Sequence, residues 1–407
     1  MNVLFTSYDG LTDPLGQSQI LPYLSGLSKK GATVHIISFE KPERFEKYKS
    51  LIDEIVEVNN LKWTPMLYTK RPPVLSTVYD LWRLRNMMAK IIKAENIQLI
   101  HSRTLITTVV CLWAKRIFNL RLLFDMRGFW ADERIEGKIW NLQNPLFKAI
   151  YKYFKKKEAT CLQEAEHIVS LTNAGKKEIL KWNLKIDESK ISVIPCCVDV
   201  DFFDPNKIEK KNRQQIRTEL NISMSDTVFI YTGGVGTWYC LDEMMQFFKT
   251  YHAQNPTSKF AIITTENPAV IFSCAQRNGV DESLIRVTES SRSKMPQYLA
   301  AADLALFFIL PSYSKTASSP TKQGEMMAMQ LPIICNDNVG DTGFVIRKYK
   351  AGWVVKDFSI NEFQKTAKEI IANPIFASVD IRKGAEEFYG LKNGIEAYWQ
   401  IYKSILH

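Results

Sequence analysis

The sequence lacks an apolar stretch long enough to cross a membrane. The longest ones, residues 105–114 and 304–311, are far shorter than the roughly 20 residues that a spanning helix requires. We also expect no secretion leader, because no positively charged segment precedes an apolar core at the N-terminus. We therefore expect a cytoplasmic protein, either soluble or held peripherally at the inner face of the membrane.

Cysteine and histidine are too scattered to form a metal site. The seven cysteines are odd in number and include no CxxC pair, which is typical of reduced cytosolic thiols. The five histidines show no ligand spacing with one another or with cysteine. We expect no metal and no other cofactor.

The net charge of +10 raises the question of an anionic partner. Residues 138–157 interleave lysines with Trp140, Phe147, Tyr151, Tyr153 and Phe154, a pattern suited to an anionic membrane surface. A domain helix with core aromatics and a solvated basic face explains the same pattern, and we prefer that interpretation. The chain has no recognisable nucleic-acid-binding module, so nucleic acid is not an expected partner.

The first forty residues predict a strand, a turn, a helix and a second strand. Residues 2–7 and 33–39 are apolar and β-prone, and residues 19–30 have helical periodicity. The intervening turn contains Gly16 but no GxGxxG, which argues against a dinucleotide site. This βαβ unit indicates a doubly wound α/β domain.

Further strands alternate with helical segments, so we expect parallel sheets. In such sheets ligands lie beyond the carboxyl ends of the strands, where Arg103, Asp125 and Arg127 fall. A salt bridge at the strand ends would explain these residues equally well. The remaining predicted strands are residues 97–102, 120–125, 167–172, 191–195, 227–232, 259–265, 284–288, 303–308, 331–335 and 352–355.

A second α/β series begins after a polar segment at residues 196–225, which looks like a connection between domains. Its first strand is followed by Gly-Gly-Val-Gly at residues 233–236, where the backbone can approach a ligand closely. Two similar α/β domains facing across a cleft form the simplest architecture.

Residues 318–340 predict an anion-binding helix followed by a buried strand. Ser319 suits the N-cap and Pro320 the first helical position, so that the free N–H groups of the first turn would accept a phosphate. Lys322 and Glu325 lie three residues apart and share a face. A capped surface helix with an exposed Lys/Glu pair is the alternative.

With these residues in place, the chain resembles the retaining GT-B glycosyltransferases of family 4. The resemblance covers nearly the whole chain. It rests on residues 13–19 (DPLGQSQ), 101–103 (HSR), 124–128 (FDMRG), 194–199 (IPCCVD) and, most specifically, 318–334 (SSPTKQGEMMAMQLPII).

The resemblance implies an acceptor-side domain at residues 1–200, to which a helix at 390–407 returns, and a donor-binding domain at 201–389. It implies a nucleotide-sugar donor, a glycan or lipid-linked acceptor of a cell-surface polysaccharide, transfer with retention of configuration, and no metal. By the same resemblance, Asp125 and Arg127 are candidate catalytic residues, and Asp13 and Arg103 lie on the acceptor side. The candidate donor-binding residues are Gly16, Gly234, Arg292, Ser319, Thr321, Lys322 and Glu325, with Glu325 on the ribose.

The chain departs from the family pattern at several positions. Ala317 replaces the first glutamate of the motif, Phe124 replaces a histidine, and Thr-Trp-Tyr at residues 237–239 replaces a lysine whose charge Arg292 could supply. Gln330 stands where a glycine usually ends the helix; if the chain turns left-handed there, the cost is about 1 kcal/mol. A GT-B nucleotide-sugar epimerase and a catalytically degenerate binding subunit remain alternatives.

Overall fold

Two parallel β-sheets with flanking helices organise the chain in the computed structural model, which describes residues 1–373 and 378–407. The first unit comprises Met1–Pro195 and Leu391–His407, and the second comprises Cys196–Gly390. The first boundary lies five residues before the predicted one. Residues 374–377, within the predicted second domain, lie outside the described residues.

The first unit contains a sheet of seven parallel strands in the order β3-β2-β1-β4-β5-β6-β7. The strands are β1 (Asn2–Ser7), β2 (Thr33–Glu40), β3 (Lys62–Leu67), β4 (Leu99–Arg103), β5 (Arg121–Asp125), β6 (His167–Ser170) and β7 (Ile191–Val193). The helices between them are α1 (Pro14–Gln19), α2 (Leu21–Lys29), α3 (Pro42–Val58), α4 (Leu75–Glu95), α5 (Leu105–Phe118), α6 (Trp130–Glu136), α7 (Pro145–Glu164) and α8 (Asn173–Lys181).

The second unit contains a sheet of six parallel strands in the order β10-β9-β8-β11-β12-β13. The strands are β8 (Thr227–Thr232), β9 (Ser258–Ile263), β10 (Ile285–Thr288), β11 (Leu304–Phe307), β12 (Ile333–Asn336) and β13 (Gly352–Val355). The helices are α9 (Lys210–Glu219), α10 (Leu241–His252), α11 (Pro268–Arg277), α12 (Met295–Ala301), α13 (Thr321–Ala328), α14 (Thr342–Lys348), α15 (Ile360–Ala372) and α16 (Ser378–Tyr389).

These two parallel-sheet α/β units confirm the predicted fold class. Every predicted strand is present within two residues at each end. Strand β3 was missed because Pro65 interrupts a half-polar segment. It is an edge strand, where a residue without an N–H is tolerated.

The last helix, α17 (Leu391–Leu406), belongs to the first unit and packs against α2. The ring of Tyr398 meets that of Tyr23 edge-on with centroids 5.5 Å apart. A Cβ atom at Gly26 would overlap the side chain of Ile395, so the glycine allows this close helix contact. No helix in the described ranges combines the length and apolar character needed to span a membrane.

Two predicted helices differ from the structure in ways that bear on function. Gly16 lies inside α1 rather than in an open turn. The basic aromatic segment at 138–157 is only partly helical, since α7 begins at Pro145. Within it Phe154 packs against Trp130 and Trp140, and Lys155 binds Asp132 at 2.9 Å, as expected for a domain helix with core aromatics.

A buried carboxylate holds the loop that follows β1. Glu40 is fully buried at the end of β2, and its oxygens accept hydrogen bonds from the N–H groups of Leu11 and Thr12 at 2.8 and 3.0 Å. The hydroxyl groups of Thr12 and Ser38 also donate to it, at 2.5 and 2.6 Å. The sheet thereby fixes the position of the loop that leads into α1.

We predict that Glu40→Ala lowers the free energy of unfolding by about 3 kcal/mol, because four buried donors lose their acceptor. Urea denaturation followed by circular dichroism measures this change. Glu46→Ala, at an exposed position of α3, is the control and should change stability by less than about 0.5 kcal/mol. Equal stability of the two variants would contradict the anchoring role of Glu40.

Candidate functional site

The second unit gathers candidate residues beyond the carboxyl ends of its strands. The glycine loop at residues 233–236 follows β8, and Gly233 adopts a φ of 109°, which favours glycine. The hydroxyl of Tyr231 donates to the carbonyl O of Gly234. A Cβ atom at Gly234 would meet only Glu266, at 3.8 Å, and one at Gly236 would meet nothing within 4 Å. The loop therefore leaves room for a ligand to approach its backbone.

Lys322 lies beneath this loop. Its Nζ is 3.9 Å from the ring centroids of both Tyr231 and Tyr239, and 3.4 Å from the position that a Cβ atom of Gly233 would take. The residue is 8% exposed, and its Nζ has no hydrogen-bond partner among the described residues. Burial holds the pKa of Lys322 well below its usual value, although Glu325 acts in the opposite direction. The alternative of an exposed surface lysine is therefore wrong.

Glu325, one turn further along α13, binds Arg292. Their Oε1 and Nη1 atoms are 3.1 Å apart, and Arg292 reaches α13 from the 3₁₀ turn Arg292–Lys294 that follows β10. Burial raises the pKa of Glu325, which the charges of Arg292 and Lys322 offset only in part. The loops after β8 and β10 and the helix α13 thus bring Gly233, Lys322, Glu325 and Arg292 together.

The start of α13 differs from the prediction. The helix begins at Thr321 with Pro320 in the N-cap position, and no side chain caps it. Ser319 does not serve as the N-cap, because its hydroxyl accepts a hydrogen bond from the backbone N–H of Cys196 at 3.2 Å. At the other end Gln330 adopts a φ of 63°, so the chain does turn left-handed there without a glycine.

Sequence reasoning missed a second buried lysine beside this loop. Lys315, 7% exposed, places its Nζ 3.7 Å from the ring centroid of Trp238. It lies in the 3₁₀ turn Tyr313–Ala317. The sequence did contain a signal for such a lysine. Residues 238 and 239 are aromatic at a place where the family pattern has a lysine, and aromatic rings attract cations from other parts of the fold.

In the first unit, Asp125 lies at the centre of a buried cluster of charges. Its Oδ2 is 3.8 Å from Nη1 of Arg103, 3.9 Å from Nη1 of Arg127 and 3.7 Å from Nε2 of His101. Oδ1 of Asp125 is buried and has no hydrogen-bond partner in the described parts of the chain. The structure therefore brings the three predicted residues together and adds His101.

The protonation states in this cluster follow from the neighbours. Burial raises the pKa of Asp125, but Arg127, His101 and Arg103 outweigh it, so that the pKa lies below its usual value. Burial lowers the pKa of His101, and Asp125 offsets this only in part. Nδ1 of His101 is 2.7 Å from the hydroxyl of Tyr402, so α17 contributes to the cluster. At neutral pH Asp125 is a carboxylate beside a neutral imidazole.

Two other predicted residues have structural partners. A Cβ atom at Gly16 would overlap the backbone of Gly10 and Leu11, so the missing side chain is explained by packing of α1 on its own loop. Asp13 forms salt bridges with Lys41 at 3.0 Å and Arg44 at 3.2 Å. In the described ranges no three His, Cys, Asp or Glu residues lie close enough to hold a metal ion.

The sequence matches two family models, Glycosyltransferase Family 4 over residues 20–202 and Glycosyl transferases group 1 over residues 212–388. No curated protein sequence matches it significantly. Solved structures resemble it over their whole length. They include sucrose-phosphate synthase from Thermosynechococcus elongatus (14% identity, TM-score 0.75, 99% of this chain and 98% of that one), Anabaena HepE in complex with UDP (13%, 0.70, 99% and 100%) and WaaG, a glycosyltransferase involved in lipopolysaccharide biosynthesis (12%, 0.69, 98% and 99%).

We predict that Lys322→Met stabilises the protein, in the absence of any ligand, by about 2 kcal/mol at pH 7, because it replaces a buried amine that lacks an acceptor with an apolar side chain of similar length. The folded-state pKa of Lys322 lies below the usual value of 10.5, so the unfolded chain binds more protons and the wild type gains stability as pH rises. The advantage of the variant should therefore shrink between pH 7 and pH 10.

Urea denaturation across this pH range tests the prediction. Lys348→Met is the matched control, because Lys348 also lies over a tyrosine ring, at 4.8 Å, but is exposed. If Lys322→Met were less stable than the wild type at pH 7, the prediction would be wrong. The protein would then stabilise the buried amine of Lys322 by other interactions.

Proposed function

Because the chain is a glycosyltransferase with the GT-B fold, we propose that it transfers a sugar from a nucleotide-sugar donor to a glycan or lipid-linked polysaccharide precursor, with retention of configuration. The donor binds to the second unit and the acceptor to the first. This assignment follows the division between the two family models and the separate clusters around Lys322 and Asp125.

The observation that carries the donor assignment is the buried Lys322, whose Nζ lies beneath the glycine loop without a hydrogen-bond acceptor in the described ranges. A diphosphate on the loop backbone would supply that acceptor. Its negative charge would also restore the protonated form of the amine, which burial disfavours. The first turn of α13, whose N–H groups lack side-chain caps, provides further donors at the same edge of the sheet.

Glu325 and Arg292 complete the proposed donor site. The carboxylate of Glu325 accepts hydrogen bonds from the ribose hydroxyl groups, and Arg292 both orients this carboxylate and adds positive potential. A leaving nucleoside diphosphate is stabilised by such fixed charges without a divalent cation. Anabaena HepE, a neighbour in structure, was determined with UDP, which supports a nucleoside diphosphate as the ligand.

Asp125 is the proposed catalytic residue of the first unit. Arg103 and Arg127 keep it ionised inside the protein, where a carboxylate accepts a hydrogen bond strongly. Its Oδ1 is buried without a partner in the described residues, and the proposed partner is a hydroxyl of the sugar or the acceptor. If the acceptor attacks from the face that the nucleotide leaves, retention requires no protein nucleophile, and positioning supplies the catalysis.

A cell-surface polysaccharide precursor is the proposed acceptor class, supported by the similarity to WaaG, whose name refers to lipopolysaccharide biosynthesis. We place the reaction in the cytoplasm, a reducing compartment that suits seven scattered cysteines without a CxxC pair. Ala317 stands where the family has a glutamate that contacts the donor sugar, so the identity of this sugar is determined by assay.

The proposed activity is tested with a panel of nucleotide sugars and polysaccharide precursors. We expect release of a nucleoside diphosphate and a product whose anomeric configuration, read from NMR coupling constants, equals that of the donor. An inverted product would overturn retention. Conversion of the donor to an epimer without transfer would indicate a nucleotide-sugar epimerase, and absence of both turnover and diphosphate binding would indicate a degenerate subunit.

We further predict that variants of the two units separate binding from turnover. Glu325→Ala should weaken binding of a nucleoside diphosphate by about tenfold or more, since a buried charged hydrogen bond is lost. Asp125→Asn should leave that affinity within about twofold but lower kcat by about a hundredfold, because the removed charge acts on the reacting groups.

Calorimetry and steady-state kinetics measure the two effects. Glu369→Ala, at an exposed site on α15, is the control for both. If Asp125→Asn weakened diphosphate binding as much as Glu325→Ala does, the assignment of donor and acceptor to separate units would be wrong.

A further inference from the structure

The first two turns of α4 expose an apolar stripe. Leu75, Val78, Tyr79 and Trp82 are 66%, 58%, 51% and 57% exposed. Their spacing of three and four residues places them on one face, opposite the buried Ser76, Asp80 and Leu84. Four large apolar side chains on one helix face form a contiguous patch, which in a soluble domain marks an interaction surface.

Basic residues flank the stripe along the chain. Residues 58–94 contain seven lysines and arginines and a single acid, Asp80, which is buried. Lys70 and Arg71 precede the helix and are exposed, and Arg85 follows the stripe on the same face. The guanidinium of Arg83 lies 5.5 Å from the ring centroid of Tyr79. The partner of such a surface is apolar at its centre and anionic at its rim.

The stripe lies at the carboxyl edge of the first sheet. Asp125 lies at the same edge. The buried carboxylate of Asp80 accepts hydrogen bonds from the hydroxyl of Tyr8 and the N–H of Thr69, at 3.1 and 3.0 Å. Tyr8 and Thr69 follow β1 and β3, so these bonds fix the beginning of α4 at the carboxyl ends of the strands. Arg83 adds a bond of 2.9 Å to the carbonyl O of Leu67, which is itself 47% exposed.

The polarity of this face changes along the helix. Beyond Trp82 its exposed positions are Arg85, Asn86, Lys90 and Lys93, all polar. The apolar part is thus confined to two turns, or about 11 Å of helix, at the carboxyl edge. A second copy of this chain would face the stripe with the same cations, so the charge disfavours self-association.

We propose that the stripe at Leu75, Val78, Tyr79 and Trp82, with Lys70, Arg71 and Arg85 around it, docks the protein on an anionic lipid bilayer. The aromatic and aliphatic side chains enter the boundary between headgroups and acyl chains, and the cations remain at the phosphate level. The carboxyl edge of the first sheet, and with it Asp125, then faces the membrane surface. This inference adds a partner to the proposed function and does not rest on it.

Flotation of the full chain with vesicles tests the proposal. We expect binding to vesicles of phosphatidylcholine mixed with phosphatidylglycerol, little binding to phosphatidylcholine alone, and weaker binding at high salt. The double variant Val78→Ser/Trp82→Ser should bind the anionic vesicles at least about tenfold more weakly. Lys70→Glu/Arg71→Glu should lose a similar factor, since each basic residue near the surface contributes.

The matched control is Val270→Ser/Ile360→Ser, which removes two comparably exposed apolar residues, 52% and 56%, from the second unit and should bind as the wild type does. Circular dichroism confirms that each variant is folded, which is expected because the changed side chains are exposed.

Four results of the flotation assay would overturn the proposal. They are absence of flotation, equal flotation with neutral and anionic vesicles, wild-type binding by Val78→Ser/Trp82→Ser, and loss of binding only in Leu142→Ser/Leu146→Ser, which would move the contact to the exposed residues beside α7. Sedimentation of the free protein addresses self-association. A dimer that Val78→Ser/Trp82→Ser dissociates would assign the stripe to a second copy instead. The assay measures lipid binding alone, so none of these results bears on sugar transfer.

Discussion

The parallel arrangement of the strands is the constraint on which the rest of the structure depends. Because all strands of a sheet run in one direction, every connecting loop that follows a strand lies at the same edge. In the second unit this brings the glycine loop after β8 together with Arg292, which follows β10, and with α13. In the first unit it brings Arg103 and Asp125 together at the ends of neighbouring strands. Residues distant in sequence therefore share a site in each unit.

The two clusters differ in the charge of their central residue and in what surrounds it. Around Asp125 one buried carboxylate is opposed by the two cations Arg103 and Arg127, and the neutral His101 is fixed by Tyr402 from α17. That cluster can keep its charge without a ligand. In the second unit Lys322 is surrounded by tyrosine rings, and Glu325 is committed to Arg292. Nζ of Lys322 has no acceptor among the described residues, and an anion would supply one, which agrees with the proposed binding of a nucleoside diphosphate.

Much of this could be predicted from the sequence, since apolar periodicity and strand-end polar residues are local signals. The strand at β3 was missed because Pro65 is acceptable only at a sheet edge, and edge position is a property of topology. The role of Ser319 as an N-cap was wrong because its hydroxyl receives the N–H of Cys196, more than a hundred positions away. Lys315 and Glu40 escaped notice for the same reason, because their partners lie on other elements of the fold.

Two departures from the family pattern, at Ala317 and at residues 237–239, lie on segments that contact each other through Lys315 and Trp238. Ala317 removes a carboxylate from the turn that also carries Lys315. The Thr-Trp-Tyr segment at residues 237–239, which stands in place of a lysine, provides the Trp238 ring on which Lys315 lies. The loop thus loses one cation and faces two others, Lys315 and Lys322, that reach it from elements following β11. The positive charge beside the loop therefore comes from these elements, with Lys322 Nζ 3.4 Å from the position that a Cβ atom of Gly233 would take. In the proposed donor site a diphosphate would accept hydrogen bonds from the loop N–H groups and from Lys322, and the absence of an acid at residue 317 makes the local potential more favourable to it.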